Sequence, residues 1–333
     1  MKKKTNCLPL KFCNQYLLNK KYKPMLDQLS EEDDPLVYVP YSKVLNTFMS
    51  PFMSRDRLMA MALEILNLQV AKAWSATKQI YRFASGLWEI LTEKDPERSI
   101  PVEILNQIPY KCIFIEPLNA FVYFDYKFGL DKKEYEFHVL QINQKLKIQS
   151  MAVFVIHEGK TLKECVEFTE SETANAIDPD MTMSFTGQSM DFALLSQALQ
   201  AVLYICAANA DLSLNDKETQ PKKAKEEIEK QEEPKEIEDK PPVERVRSTR
   251  PTTWKVGEVV VRDLKNKKII ESSGSSKSRV TYGYTMRPHI RSAHWHHFWK
   301  GTGENRKLVL KWIPPVYVNK GVGEISPTVN RLK

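Results

Sequence analysis

The 333-residue chain is poor in cysteine, and its five cysteines (Cys7, Cys13, Cys112, Cys165 and Cys206) stand far apart. There is no C-x-x-C pair, and the number is odd. This argues against a disulfide framework and against a cysteine-rich zinc site, and it fits a reducing cytosol. Long apolar runs are lacking too. The longest uncharged stretch, Phe192 to Ala210, is broken by Ser196, Gln197, Gln200 and Asn209. It reads as a buried core helix and not as a membrane span. Lys2 to Lys4 are followed by Lys11 before any apolar h-region builds up, so the start of the chain is not a signal peptide. No internal repeat is visible. Gly301-Thr-Gly303 has neither the spacing nor the preceding strand of a phosphate loop. His157-Glu158 lacks the second histidine of a zinc-protease helix, and no nucleophile stands with a paired base. No cofactor, metal or membrane partner is expected, and the expected location is cytoplasmic.

What is present is a soluble, globular composition, 42% apolar and 27% charged, in a chain long enough for one large or two ordinary domains. The charge is unevenly placed. Residues 241–333 hold 19 Lys/Arg against 6 Asp/Glu, a net of +13, while residues 1–211 hold 23 against 26 and residues 212–240 hold 7 against 10. A mildly acidic body thus carries a strongly basic tail. Such asymmetry points to a polyanionic partner, of which RNA is the commonest in the cytosol. The plainer alternative is a basic surface kept for solubility.

The expected fold class is α+β, with N-terminal helices on an antiparallel sheet, a charged linker and a small basic β-rich C-terminal domain. The corresponding boundaries are 1–211, 212–250 and 251–333. Three- and four-residue spacing of Leu58, Met61, Ile65, Leu68, Ala71, Trp74, Ile80, Phe83, Leu87 and Leu91 predicts helix over 54–93, with a possible break at Gly86. The period then changes. Residues 110–115, 120–126, 135–140 and 148–156 are short runs rich in β-branched and aromatic residues, and they predict a meander of about four strands. Residues 161–168 predict a short helix, and 191–210 a long apolar one that packs on the sheet. From Lys217 to Lys240, 16 of 24 residues are charged, which leaves almost nothing to bury. Beyond it, 254–261, 280–285 and 308–313 look like strands, with a turn near Gly301. The tail is either a small domain or an extra layer on the first.

Four of the six histidines fall within nine residues: His289, His294, His296 and His297. Trp295, Trp299 and Trp312 lie near them, and no Asp or Glu occurs from Ser272 to Gly303. In one extended strand, His294 and His296 would share a face, and His289, Arg291, Trp295, His297 and Trp299 the other. Several readings stay open. His-x-His could supply metal ligands, but no carboxylate or cysteine helps and two arginines oppose a cation. Arg287, His289, Arg291, Trp295, Trp299 and Lys300 could bind nucleic acid, arginines meeting phosphates and rings stacking on unpaired bases. His294 or His296 with Arg291 could perform metal-independent acid–base cleavage of RNA. Otherwise the rings simply pack as a rigid corner. His138 reads as a satisfied core or surface ring.

The runs Met286-Arg-Pro-His-Ile-Arg-Ser-Ala-His-Trp-His-His-Phe-Trp-Lys-Gly-Thr-Gly303 and Leu308-Val-Leu-Lys-Trp-Ile-Pro-Pro-Val-Tyr-Val-Asn319 resemble the C-terminal signature of a type V-A anti-CRISPR family, the VA-two type, found on phages, plasmids and other mobile elements. Weaker similarity covers Ile108 to Cys112, Gly187 to Ser189, Leu203 to Cys206, and Thr249 to Pro251 with Trp254. The resemblance implies indirect blocking of type V-A immunity. The nascent N-terminal polypeptide of the effector nuclease is recognised during translation, and the effector's mRNA is then lost. The implied partners are the nascent effector polypeptide, the ribosome or mRNA, and a recruited host nuclease. Asn209-Ala210 stands where the family pattern places an acidic residue followed by proline, at the end of the apolar helix.

Overall fold

The computed structural model describes residues 7–24, 26, 55–94, 96, 99–126, 134–175, 191–215, 250–272 and 289–318. Six α-helices are found among them: α1 (Leu8–Leu17), α2 (Arg55–Thr77), α3 (Ser85–Thr92), α4 (Leu162–Asn175), α5 (Phe192–Cys206) and α6 (Glu258–Ser272). The strands are β1 (Gln79–Phe83), β2 (Cys112–Ile115), β3 (Ala120–Tyr126), β4 (Glu134–Ile142), β5 (Ile148–His157), β6 (Leu212–Leu214) and β7 (Thr252–Val256), then β8 (His289–Arg291), β9 (His294–Lys300), β10 (Lys307–Ile313) and β11 (Val316–Val318). None of the described helices is long and apolar enough to cross a membrane.

The fold is α+β. One seven-stranded sheet runs in the order β5-β4-β3-β2-β1-β7-β6. It is antiparallel from β2 to β5, as the four-run pattern predicts, and parallel where β1 meets β2 and β7. Alternation along each strand sends two apolar sets to opposite faces. Phe114, Phe121, Tyr123, Leu140 and Ile142 meet α1 and α2 on one side, where Trp74 and Phe12 are fully buried. Ile113, Val122, Phe137, Val139 and Phe154 meet α5 on the other, together with Trp295, Leu310 and Trp312 of the tail. Side chains of α4 take two N–H groups at the end of the edge strand β5: Val155 N–H donates to Thr169 Oγ1 at 3.2 Å and His157 N–H to Cys165 Sγ at 3.4 Å. Edge groups satisfied in this way offer no ladder to another chain. Burial pushes the Cys206 thiol up to about 12 and raises Cys13 and Cys112 as well, which marks these cysteines as core residues and not reactive ones.

Two segments differ from the sequence expectation. The helix predicted to run through 93 stops at Thr77, and Gln79–Phe83 is β1, an interior strand of the sheet between β2 and β7. Ile80 and Phe83 satisfy a helical spacing by coincidence. The chain reverses at Lys78 (φ 50°), the Trp74 indole donates to the Gln79 carbonyl at 3.0 Å, and β2 and β7 supply the pairing from far along the sequence. The strand predicted over 254–261 stops at Val256, and Glu258–Ser272 is α6. The β-branched run Val259-Val260-Val261 reads as strand, but a remote cap overrides it. Asp211 Oδ2 accepts from the N–H groups of Val259 (2.6 Å) and Val260 (3.2 Å), and the Asp211 carbonyl accepts from Gly257 N–H (2.9 Å). Gly257 makes the reversal at φ 80°, where a Cβ would stand 2.1 Å from Leu87 Cδ2. Of the charged stretch, Lys217–Lys240 lies outside the described residues, as does the strand expected over 280–285.

Asp211→Ala is expected to lower stability by about 1 kcal/mol, and Asp211→Asn by less. Gly257→Ala is expected to cost roughly 2 kcal/mol or more, from overpacking against Leu87 and a left-handed backbone. Urea denaturation followed by circular dichroism measures both, and a neutral Gly257→Ala would contradict the close approach of α3 to the start of α6.

Candidate nucleic-acid interface

The C-terminal residues form two short antiparallel pairs, β8 with β11 and β9 with β10. The chain leaves strand geometry at Ser292-Ala293, so the single extended strand expected from 289 to 299 is two strands. His289 and Arg291 lie on β8, opposite Val318 and Val316. His294, His296 and His297 lie on β9. Arg287 lies outside the described residues.

β9 and β10 make a ribbon closed at Gly301, whose φ is 99° and whose added Cβ would meet the Asn305 carbonyl oxygen at 2.5 Å. The register places Trp295 opposite Trp312, His296 opposite Lys311, His297 opposite Leu310, Phe298 opposite Val309 and Trp299 opposite Leu308. Directly paired residues share a face. One face therefore carries Trp295, His297 and Trp299 with Leu308, Leu310 and Trp312. The other carries His294, His296, Phe298 and Lys300 with Lys307, Val309, Lys311 and Ile313.

The first face is fastened to the body. Trp295 is 6% exposed, and its indole N–H donates to Gln200 Oε1 on α5 at 2.9 Å. Gln200 Nε2 in turn donates to the Lys94 carbonyl at 2.8 Å. Asn209 exchanges two bonds with the main chain of Trp312, donating from Nδ2 to its carbonyl (2.8 Å) and accepting its N–H at Oδ1 (3.0 Å). Ala208 N–H donates to the Leu310 carbonyl at 2.8 Å, and Gln107 Nε2 to the Leu308 carbonyl at 2.7 Å. The Trp312 ring meets Tyr204 edge-on at 5.5 Å. Burial fades toward the turn, where Trp299 is 49% exposed, so the turn end of the ribbon stands out from the body.

The second face is open and basic. His296, Lys300, Lys307 and Lys311 are exposed. The His296 and Phe298 rings lie 5.5 Å apart at 34°. Lys311 Nζ sits 5.6 Å from the Phe298 ring centre, and the Arg306 guanidinium 5.5 Å from that of Trp299. Over residues 289–318 the cationic side chains are Arg291, Lys300, Arg306, Lys307 and Lys311, against the single acid Glu304. The field at this surface is therefore positive.

The residues expected to act in acid–base cleavage stand on two strands, Arg291 on β8 and His294 and His296 on β9. Arg291 is exposed on β8, His294 is half-buried with Nδ1 3.2 Å from the Ser292 carbonyl oxygen, and His296 is exposed. Among the described residues, neither His294 nor His296 bonds to a carboxylate, and no cluster of three or more His, Cys, Asp or Glu has metal-binding geometry. Trp295, expected as a stacking ring, is taken up by the core, whereas Trp299 and Lys300 are open to solvent. The sequence reading missed Phe298, Arg306, Lys307 and Lys311, which the hairpin register alone could have found. It also missed the anchors Gln200 and Asn209, which no local pattern reveals. His138 is a core ring, 4% exposed, stacked on Tyr123 at 4.6 Å and 3.0 Å from Glu136 Oε2.

The model of the anti-CRISPR type V subtype A2 family, AcrVA2-like, matches residues 81–320, from β1 to just past β11. The chain belongs to this family. Membership supports an anti-CRISPR function of type V-A. A crystal structure of AcrVA2 is similar with a TM-score of 0.49 and 17% identity, covering 94% of this chain and 93% of that one. No curated protein matches the chain.

The two tryptophans of β9, one buried and one exposed, should separate cleanly in stability. Trp295→Ala is expected to cost about 3–5 kcal/mol, the range for removing a buried large aromatic. Trp299→Ala is expected to stay within about 0.5 kcal/mol of the parent. Equal losses in chemical denaturation would contradict the assignment of inner and outer ends of the ribbon.

Proposed function

We propose that this anti-CRISPR protein lowers expression of a type V-A effector nuclease by recognising its nascent N-terminal polypeptide and causing loss of its mRNA, with the open face of the β9–β10 ribbon as the contact to RNA. The observation that carries the RNA contact is one ribbon face that holds the His296 and Phe298 rings beside Lys300, Lys307 and Lys311, with Lys311 opposite His296 and over the Phe298 ring, on a ribbon anchored from behind. Anchoring supports the reading because a preorganised surface loses less freedom on binding. The family supports the target class, and the net charge of the tail supports an anionic partner. The site of action is the cytoplasm, where nascent chain and mRNA are held together on the ribosome.

The mRNA is destroyed by a recruited host nuclease in this account. Cleavage by the ribbon itself would need an oriented base, and His294 is directed at the Ser292 carbonyl of its own segment. No observation favours the ribonuclease reading, in which Arg291, His294 and His296 act together.

Co-expression with an effector gene tests the proposal. Effector mRNA is expected to fall several-fold, and a frameshift that alters the N-terminal peptide while preserving nearly all of the mRNA sequence is expected to abolish the fall. Reversing the charges of Lys300, Lys307 and Lys311 to Glu is expected to restore mRNA while leaving the protein folded. Unchanged effector mRNA with the parent protein would overturn the account.

A further inference from the structure

We infer that the ribbon binds unpaired RNA, with bases laid on the rings of β9 and phosphates held along β10; this rests on the RNA contact proposed above. The rings of this face lie on β9, and its cations line both strands, Lys300 on β9 with Lys307 and Lys311 on β10. His296 and Phe298 occupy one row; across the pair Lys311 faces His296, Val309 faces Phe298, and Lys307 faces Lys300 at the turn end. Cross-strand neighbours stand about 5 Å apart, so a nucleotide on the ribbon reaches both rows at once.

The rings decide between single and double strands. His296 and Phe298 are 5.5 Å apart and inclined at 34°, which makes a shallow platform and not a slot. A base lies on such a platform only if one of its faces is free. In a duplex each strand rises about 3.4 Å per base and both faces are covered, except at the ends. The major groove of an RNA helix is also too narrow for side chains to read. An unpaired strand meets neither obstacle, and stacking of this kind tolerates any base sequence.

The half-buried Phe298 ring and the exposed Trp299 ring each have a cation beside them. Lys311 sits over Phe298 and Arg306 over Trp299, at 5.6 and 5.5 Å. A cation over an exposed ring is held weakly, by about 0.5–1 kcal/mol. A nucleotide replaces both halves of the pair: its base takes the ring face, and its phosphate takes the cation. Trp299, 49% exposed near the turn, lies on the opposite side of β9 and is not part of this platform. The same geometry does not favour an acidic peptide, which has the charge but offers no planar face for Phe298.

Fluorescence anisotropy on the full chain tests this with three probes: a labelled 12-nucleotide oligouridine, a blunt RNA duplex of the same length, and polyglutamate. The single strand is expected to bind at least tenfold more tightly than either of the others. Phe298→Ala is expected to weaken it on the order of tenfold while leaving duplex binding unchanged. Lys307→Ala with Lys311→Ala is expected to weaken both RNA probes and to reduce the salt dependence by about two phosphate contacts. Duplex or polyglutamate binding as tight as the single strand would overturn the inference. So would a Phe298→Ala variant, with unchanged thermal unfolding, that binds oligouridine as the parent does; the RNA contact would then survive as a phosphate contact only. Absence of binding to any RNA would remove the RNA contact itself.

Discussion

The tail of this protein is held by the C-terminal end of α5. Asn209 exchanges two hydrogen bonds with the main chain of Trp312, and six residues upstream of that helix end Gln200 receives the Trp295 indole. These bonds are buried or half-buried, where a lost partner costs the desolvation of the group left behind, about 1–3 kcal/mol. They fix which face of the ribbon is core and which is surface. A slip of one residue in the pairing would turn His296 and Lys311 inward and expose the tryptophans. The open basic face is thus a consequence of how the inner face is satisfied.

The same region ties the tail into the sheet. Asp211, five residues past the end of α5, caps α6 and fixes Gly257, and α6 follows β7 directly. β7 pairs with β1 in parallel, so a strand from the basic segment stands beside one from the acidic segment in a single sheet. The basic ribbon and the body therefore share one core around this sheet, and the ribbon needs none of its own.

Much of the sheet was legible because its strands are local. β2 to β5 follow one another closely along the sequence, and their alternation shows in the residues. α5 was legible because an uncharged stretch of that length fits only a buried helix. β1 was not, because Ile80 and Phe83 also satisfy helical spacing and the strand exists only through partners far along the chain. α6 was not, because Val259 to Val261 favour strand and the capping Asp211 lies 48 residues from Val259. At the candidate site, the Arg287–His296 segment was recognised as the informative one. Yet a histidine count could not show that Trp295 faces the core and Phe298 the solvent. That difference is set by the register with β10.

The central claim is that the open face of the β9–β10 ribbon is where this anti-CRISPR protein meets RNA. Ultraviolet crosslinking in cells expressing both protein and effector, followed by mass spectrometry of RNA-linked peptides, tests it most directly. The account predicts crosslinks concentrated on His296 to Lys300, at His296 and Phe298 above all. Crosslinks confined to the helical body, or none above background while effector mRNA still falls, would contradict it.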